Sequence, residues 1–171
     1  ANLANAILNG ANLNVTAFID AAATSRSITN IAVGGSSVIS NINFQGTTTL
    51  NLASIANSTL TVNSILDNAF TGAISIGSVA TPNVGTVAMN AATTYKGGTT
   101  VNSGTLRVNN ASGSATGTAG VTVASGATLG GAGFIGGAVT VNGIIAPGNS
   151  IGTLNVANDV TWSGAGLASA S

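Results

Sequence analysis

The sequence predicts an all-β solenoid, a parallel β-helix in which the chain winds through roughly seven to eight coils. Three observations predict it. A loose repeat of about 20 residues runs through the second half of the chain. Short segments of alternating apolar residues are punctuated by Gly, Asn and Ser. Charge is scarce, 4% of 171 residues, and the same uncharged polar residues recur in corresponding turns. Coils of about 20–25 residues stacked about 4.8 Å apart give a rod of about 35–40 Å. Stacking aligns like side chains in columns, where Asn and Thr hydrogen-bond to their copies and like charges repel. Short strands also suit a sandwich or an antiparallel barrel. The recurring turns, with small core residues (Ala, Val, Ile, Leu), favour the β-helix.

Residues 1–24 are the least regular, and "ANLANAILNGANLNVTAFIDAAA" reads as a short helix, an irregular first coil or a cap. The stretch that follows runs strand after strand without a helical period. Its inward candidates are Ile31, Val33, Val38, Ile42, Phe44, Leu50, Leu52, Leu60, Val62 and Ile65, with Gly34, Gly35, Gly46, Gly72 and Gly85 as punctuation. From Thr93 onward four segments repeat: "GTTVNSGTLRVNN" (98–110), "AGVTVASGATLGG" (119–131), "GGAVTVNGIIAPG" (136–148) and "GTLNVANDVTWSG" (152–164). Each reads as strand, polar turn, strand. Val101, Val123 and Val141 then correspond, as do Leu106, Leu129 and Ile145. The corresponding turns are Asn102-Ser103-Gly104, Ser125-Gly126, Asn142-Gly143 and Asn158-Asp159. No linker or charge run divides the chain, so one domain over 1–171 is expected. The density of β-branched residues argues against disorder.

Within the repeats, "GGAGFIGG" places Gly131, Gly133 and Gly136 at the spacing of a dinucleotide-binding fingerprint. That chemistry needs a helix opening at the last glycine to meet the pyrophosphate. A short alternating strand, Ala138–Asn142, follows instead, so the glycines are read as tight corners between strands. Cys and His are absent, which removes thiol nucleophiles, disulfides and a Ser-His-Asp triad. The charges are Arg26, Lys96 and Arg107 against Asp20, Asp67 and Asp159, a formal balance of zero that predicts no nucleic-acid or anionic-membrane capture. No apolar run approaches the roughly 18 residues of a spanning helix. Barrel strands of about 9–11 residues with aromatic girdles are not expected from one Trp and one Tyr. The first residues lack a basic signal-peptide region.

The three Asp are too far apart in coil number to act as a carboxylate pair, and Asp67 and Asp159 are read as turn residues. "GGAGFI" lacks the Asp of a calcium β-roll. Asn14 and Asn57 head sequons read as chance. Thr47–Thr49, Thr59, Thr61, Thr99 and Thr100 suggest a water-ordering or ice-binding face, but along the chain they do not form a regular T-x-T grid. Tyr95, Lys96, Arg107 and Trp162 are a candidate sugar- or protein-binding patch, weighed against caps and coil-edge packing. The expectation is therefore no catalytic, cofactor-binding or metal-binding residue, and no enzyme.

An ordered set of motifs covers residues 93–164: Tyr95-x-Gly97-Gly98-Thr99-Thr100-Val101 with Gly104-Thr105-Leu106, then Gly-Ala-Thr-Leu-Gly-Gly (126–131), then Ala146-Pro147-Gly148-Asn149-Ser150-Ile151-Gly152-Thr153-Leu154. This set resembles the passenger-associated transport repeat of bacterial autotransporters. The resemblance implies a right-handed parallel β-helix on a Gram-negative cell surface, exported through a C-terminal outer-membrane barrel. It also implies an adhesin, an aggregation factor or a stalk carrying another domain. The repeat itself fixes no ligand. Expected partners are other copies of the chain, end to end or lateral, and a host-surface protein or glycan, with no direct membrane insertion of this segment. Strand edges at the ends of a rod, with no charged gatekeepers over residues 28–66, favour self-association into an extracellular fibre.

Overall fold

A computed structural model describes residues 5–20, 26–30, 35–46, 49–77, 85–148 and 151–163. None of these is helical. In chain order the strands are β1 (Asn5–Leu8), β2 (Asn12–Asp20), β3 (Arg26–Asn30), β4 (Ser36–Gly46), β5 (Leu50–Ser54) and β6 (Thr59–Val62). Then come β7 (Ile65–Phe70), β8 (Ile74–Ile76), β9 (Thr86–Met89), β10 (Thr99–Val101), β11 (Thr105–Val108) and β12 (Val121–Val123). The last are β13 (Thr128–Gly131), β14 (Phe134–Ile135), β15 (Val139–Val141), β16 (Ile144–Pro147), β17 (Asn155–Val156) and β18 (Val160–Trp162).

The strands stack as a parallel β-solenoid. One eight-stranded sheet runs β1-β3-β5-β8-β10-β12-β15-β18. A second runs β16-β13-β11-β9-β6-β4-β2, with β7 also paired to β4, and β14 with β17 forms a third, narrow face. Apart from β7, which follows β6 in the second sheet, and β14 and β17 on the third face, sequential strands alternate between the first two sheets. A segment that leaves one sheet therefore pairs not with its chain neighbour but with the equivalent segment one coil on. Among the described residues all the strand pairs are parallel, and one isolated antiparallel bridge joins Gly131 to Gly148.

Side chains in a strand alternate between faces, so this register builds inward columns. In the first sheet, Leu52, Ile76, Val101, Val123, Val141 and Trp162 form one column. In the second, Leu60, Val87, Leu106, Leu129 and Ile145 form another. All of these except Ile145 and Trp162 are buried. Each fully buried Val, Leu or Ile contributes about 1.5–3 kcal/mol of transfer free energy. The equivalences read from Val101, Val123 and Val141, and from Leu106, Leu129 and Ile145, are therefore the observed ones.

Other expectations are corrected. Val38 is not inward: its neighbours Ser37 and Ile39 are buried instead, because they align with Leu60 and Val62. A one-residue shift of phase exchanges the two faces of a strand. Segment 152–164 is out of phase with the other three repeats. Its two strands, β17 and β18, lie on the third face and the first sheet rather than on the first and second. Asp67 is within β7, opposite Phe44 of β4, and not in a turn. Pairing with β4 overrides the turn preference of Asp-Asn. Residues 5–8 and 12–20 form strands rather than a helix. Leu50, Leu52, Leu60, Val62, Ile42 and Ile65 are buried as expected, whereas Ile31 and Val33 lie outside the described residues.

The glycines of "GGAGFIGG" are corner residues. Gly131 ends β13 with φ at 101°, and a Cβ there would run into the Val108 backbone of the preceding coil. A Cβ at Gly137 would meet the Ala119 carbonyl in the same way. Gly126 also has positive φ, 80°, but open space around it. Replacing Gly131 with Ala should cost about 1–3 kcal/mol from backbone strain plus the displacement of Val108, whereas Gly126→Ala should cost only the conformational part, about 1 kcal/mol. Urea midpoints of the two variants check this, and equal midpoints would contradict the close approach at Gly131.

Candidate interaction surface

The outward positions form files of small uncharged residues. On the first sheet the file is Asn51, Ser75, Thr100, Thr122, Thr140 and Thr161. On the second it is Ser36, Thr59, Thr86, Thr105 and Thr128, ending at Ile144. These threonines recur once per coil, so their order runs across the chain and not along it. A search for T-x-T within one segment misses them. Arg107, exposed on β11, is the one charge in β6, β9, β11, β13 and β16.

Asn and Ser join successive coils at the edges of these faces. Asn90 Nδ2 donates to Asn63 Oδ1 at 3.3 Å, and Asn102 Nδ2 to Ser75 Oγ at 2.8 Å. Ser40 Oγ donates to Asn12 Oδ1 at 2.7 Å, and Ser163 Oγ to Asn142 Oδ1. Among polar side chains, an uncharged one that both donates and accepts can hydrogen-bond to a near copy of itself, whereas a charged one would repel it.

The structure does not bring Tyr95, Lys96, Arg107 and Trp162 together as a patch. Tyr95 is fully buried, and its hydroxyl hydrogen-bonds Thr99 Oγ1 at 2.5 Å. Thr99 Oγ1 in turn reaches the Thr116 carbonyl at 3.4 Å. The Thr118 N–H donates to the Tyr95 carbonyl at 3.1 Å, and Gly117, with φ at 70°, lies against the Tyr95 ring, where a side chain would not fit. Beside it, Thr93 Oγ1 donates to the Ala115 carbonyl at 2.9 Å and accepts from the Gly117 N–H at 3.1 Å. Tyr95 thus packs one coil onto the next. Lys96 and Arg107 are exposed, and Trp162 is half-buried at the C-terminal end of the first sheet, away from Arg107 on the second.

Asn110, also buried, works alike beside the third face. Asn110 Oδ1 accepts from the Phe134 N–H at 2.8 Å, and its Nδ2 donates to the carbonyls of Ser112 at 2.9 Å and Gly113 at 3.1 Å. Sequence reasoning passed over Asn110 because Asn in a glycine-rich chain reads as an ordinary turn residue. Among the described residues no three of His, Cys, Asp or Glu come together as metal ligands. Asp20 lies on β2, Asp67 on β7 and Asp159 just before β18, on separate elements.

The C-terminal end of the rod differs from its flanks. β18, β16 and β17 are each the outermost strand of their sheet. Val160 is 48% exposed, whereas Val121 and Val139, its equivalents in the same column, are 1% exposed. Trp162, Ile145, Leu154 and Val156 are only partly covered, and Trp162 Nε1 is buried without a hydrogen-bond partner. The candidate interaction surface is the pair of uncharged files that run along both sheets.

Burial pushes the Tyr95 phenol well above its ordinary value, and the Thr99 hydrogen bond offsets only part of the shift. The folded chain therefore holds this proton more tightly than the unfolded chain. Stability from this group is complete below about pH 10 and falls above it by up to about 1.4 kcal/mol per pH unit, until the folded group titrates. Because Tyr95 is the only tyrosine, Tyr95→Phe should remove this alkaline slope while costing about 1 kcal/mol at neutral pH. Urea titrations of both proteins at several alkaline pH values measure the difference. Compared with protein-family models, curated proteins and solved structures, the chain matches none.

Proposed function

We propose that the chain is a non-catalytic structural segment of a bacterial cell surface, an autotransporter-type passenger stretch that acts as a rigid stalk for adhesion or self-association. In this reading it is a right-handed β-helix of seven to eight coils. The observation that carries the proposal is the unbroken parallel register of the first sheet, from Asn5 on β1 to Trp162 on β18. One column of buried residues under one file of small polar residues makes a rod. Eight strands at about 4.8 Å span about 35–40 Å, a useful spacer but a poor pocket.

Right-handedness follows from the strong preference of parallel crossovers for that hand. Cell-surface use is supported by the ordered motifs of residues 93–164, and by uncharged faces on which Asn and Ser pairs such as Asn90–Asn63 and Asn102–Ser75 hydrogen-bond from coil to coil.

The test is display. With a signal peptide before it and an outer-membrane barrel after it, the chain should reach the surface of a Gram-negative cell. An epitope at its N-terminus should be cut by protease added to intact cells. The purified chain should scatter X-rays as a single rod of about 35–40 Å. Periplasmic retention of a folded chain would overturn the surface reading, and a globular scattering profile would overturn the stalk.

A further inference from the structure

We propose that the outer face of the second sheet is a trough for an acidic polysaccharide, in which Arg107 takes a carboxylate and rows of threonine and asparagine take sugar hydroxyls. This rests on the stalk reading above and deepens it, because it names the surface and the ligand class through which the rod adheres. Outward positions on a strand lie two residues apart, so the strands of this sheet build several parallel files. The first file is Thr59, Thr86, Thr105 and Thr128. Two residues on, a second file runs Thr61, Ala88, Arg107, Gly130 and Ala146. In the third, Asn63, Asn90 and Asn109 follow the paired residues Val62, Met89 and Val108.

The middle file is the lowest. Ala88 is only 7% exposed although it faces outward, as a methyl group between taller rows must be. Gly130 is buried, and a Cβ there would meet the Ala146 carbonyl, so the floor cannot rise at that point. Hydroxyls border this floor on one side and amides on the other. Asn90 Nδ2 donates to Asn63 Oδ1 at 3.3 Å, which ties the amide row from one coil to the next. Arg107 stands exposed between Ala88 and Gly130, and neither small neighbour shields it along the trough. No Asp or Glu occurs on β4, β6, β9, β13 or β16, so the strands around Arg107 provide no carboxylate.

The chemistry of the trough selects its occupant. Thr hydroxyls and Asn amides each donate and accept, as sugar hydroxyls do. The Arg guanidinium is a planar fork that meets a carboxylate with two parallel hydrogen bonds. Successive coils repeat at about 4.8 Å, close to the rise of one hexose in an extended polysaccharide. A single cation on β6, β9, β11, β13 and β16 suits a glycan whose carboxylates are spaced among neutral sugars. It does not suit a nucleic acid, whose duplex carries a charge about every 1.7 Å. The first sheet does not compete for such a ligand. There β5, β8, β10, β12, β15 and β18 carry no cation, and Asp159, exposed just before β18, would repel a carboxylate.

The test is calorimetric titration of the 171-residue chain with an octasaccharide of alternating glucuronate and N-acetylglucosamine. The wild type should bind it, and should bind the same octasaccharide with its carboxylates reduced to alcohols about tenfold or more weakly. Arg107→Gln should weaken binding of the acidic form by a similar factor, with an unchanged far-ultraviolet spectrum. Arg107→Lys keeps the charge but loses the fork, so its affinity should fall between the two. Arg107→Gln combined with Thr122→Arg restores the net charge on the first sheet and should not restore binding. Asn90→Ala should weaken both forms of the ligand by about a few-fold. No binding by the wild type, or equal binding by the wild type and Arg107→Gln, would overturn this inference and leave the stalk standing. Poly-glutamate bound as tightly as the octasaccharide would overturn the glycan as the ligand. A globular X-ray scattering profile would overturn the stalk, whatever the chain binds.

Discussion

Everything in this fold depends on register between coils. A strand here has no chain neighbour to pair with, and its backbone donors are satisfied only if the equivalent segment about one coil away lies beside it in phase. Side chains alternate with period two, so a slip of one residue would turn Val121 and Val123 out to solvent and bring Thr122 into the core. The core is a set of columns, each of which must hold residues of similar volume. Val101, Val123 and Val141 meet that demand with one residue type, and Leu106, Leu129 and Ile145 with near isosteres. Composition follows from it. Charge cannot be repeated down a file, so Thr, Ser and Asn supply the polarity, and glycines appear where one corner must pass close over another, as Gly131 does over Val108.

This dependence decides what could be read from the sequence. Where the coil is nearly constant in length, as from Val101 to Val141, the spacing of the valines exposes the register directly, and the parallel β-helix and its inward residues follow. Where strands are long and irregular the phase is lost. β4 runs from Ser36 to Gly46 and pairs with β2 through register shifts, and its inward phase changes from Ser37 and Ile39 to Ile42, so one alternation through Val38 and Ile42 is right at the second and wrong at the first. Asp67-Asn68 has the residues of a turn, but β4 offers it a partner strand. Tyr95 looks like a surface aromatic because its neighbours are Thr94, Lys96 and two glycines. What buries it is Gly117 in the following coil, whose missing side chain leaves room for the ring. The threonine files are invisible to any window shorter than a coil. In each case the missing information is non-local.

The interior also has to remain uniform in cross-section, and two of its buried residues with polar groups show how that is managed. Tyr95 and Asn110 sit where the chain leaves the regular sheets and its backbone groups lose their ladder partners. Asn110 replaces them with one acceptor and two donor contacts, and Tyr95 fills the corner beside Thr93, whose hydroxyl bridges the Ala115 carbonyl and the Gly117 N–H. A buried donor or acceptor left without such a partner costs about 1–3 kcal/mol, comparable with the gain from one buried apolar side chain. These corners are thus as important to the rod as its valines, although they contribute little apolar area.

Stability in such a fold is a sum of coil terms and nearest-neighbour interfaces, so each coil depends on the one stacked over it. The first sheet shows what that interface supplies: Val121 and Val139, each with a paired strand on both sides, are 1% exposed, whereas Val160, in the same column on the outermost described strand, is 48% exposed. An inward valine is therefore a core residue only by virtue of the strand in register beside it, and the column, not the single coil, is the unit that the sequence has to specify.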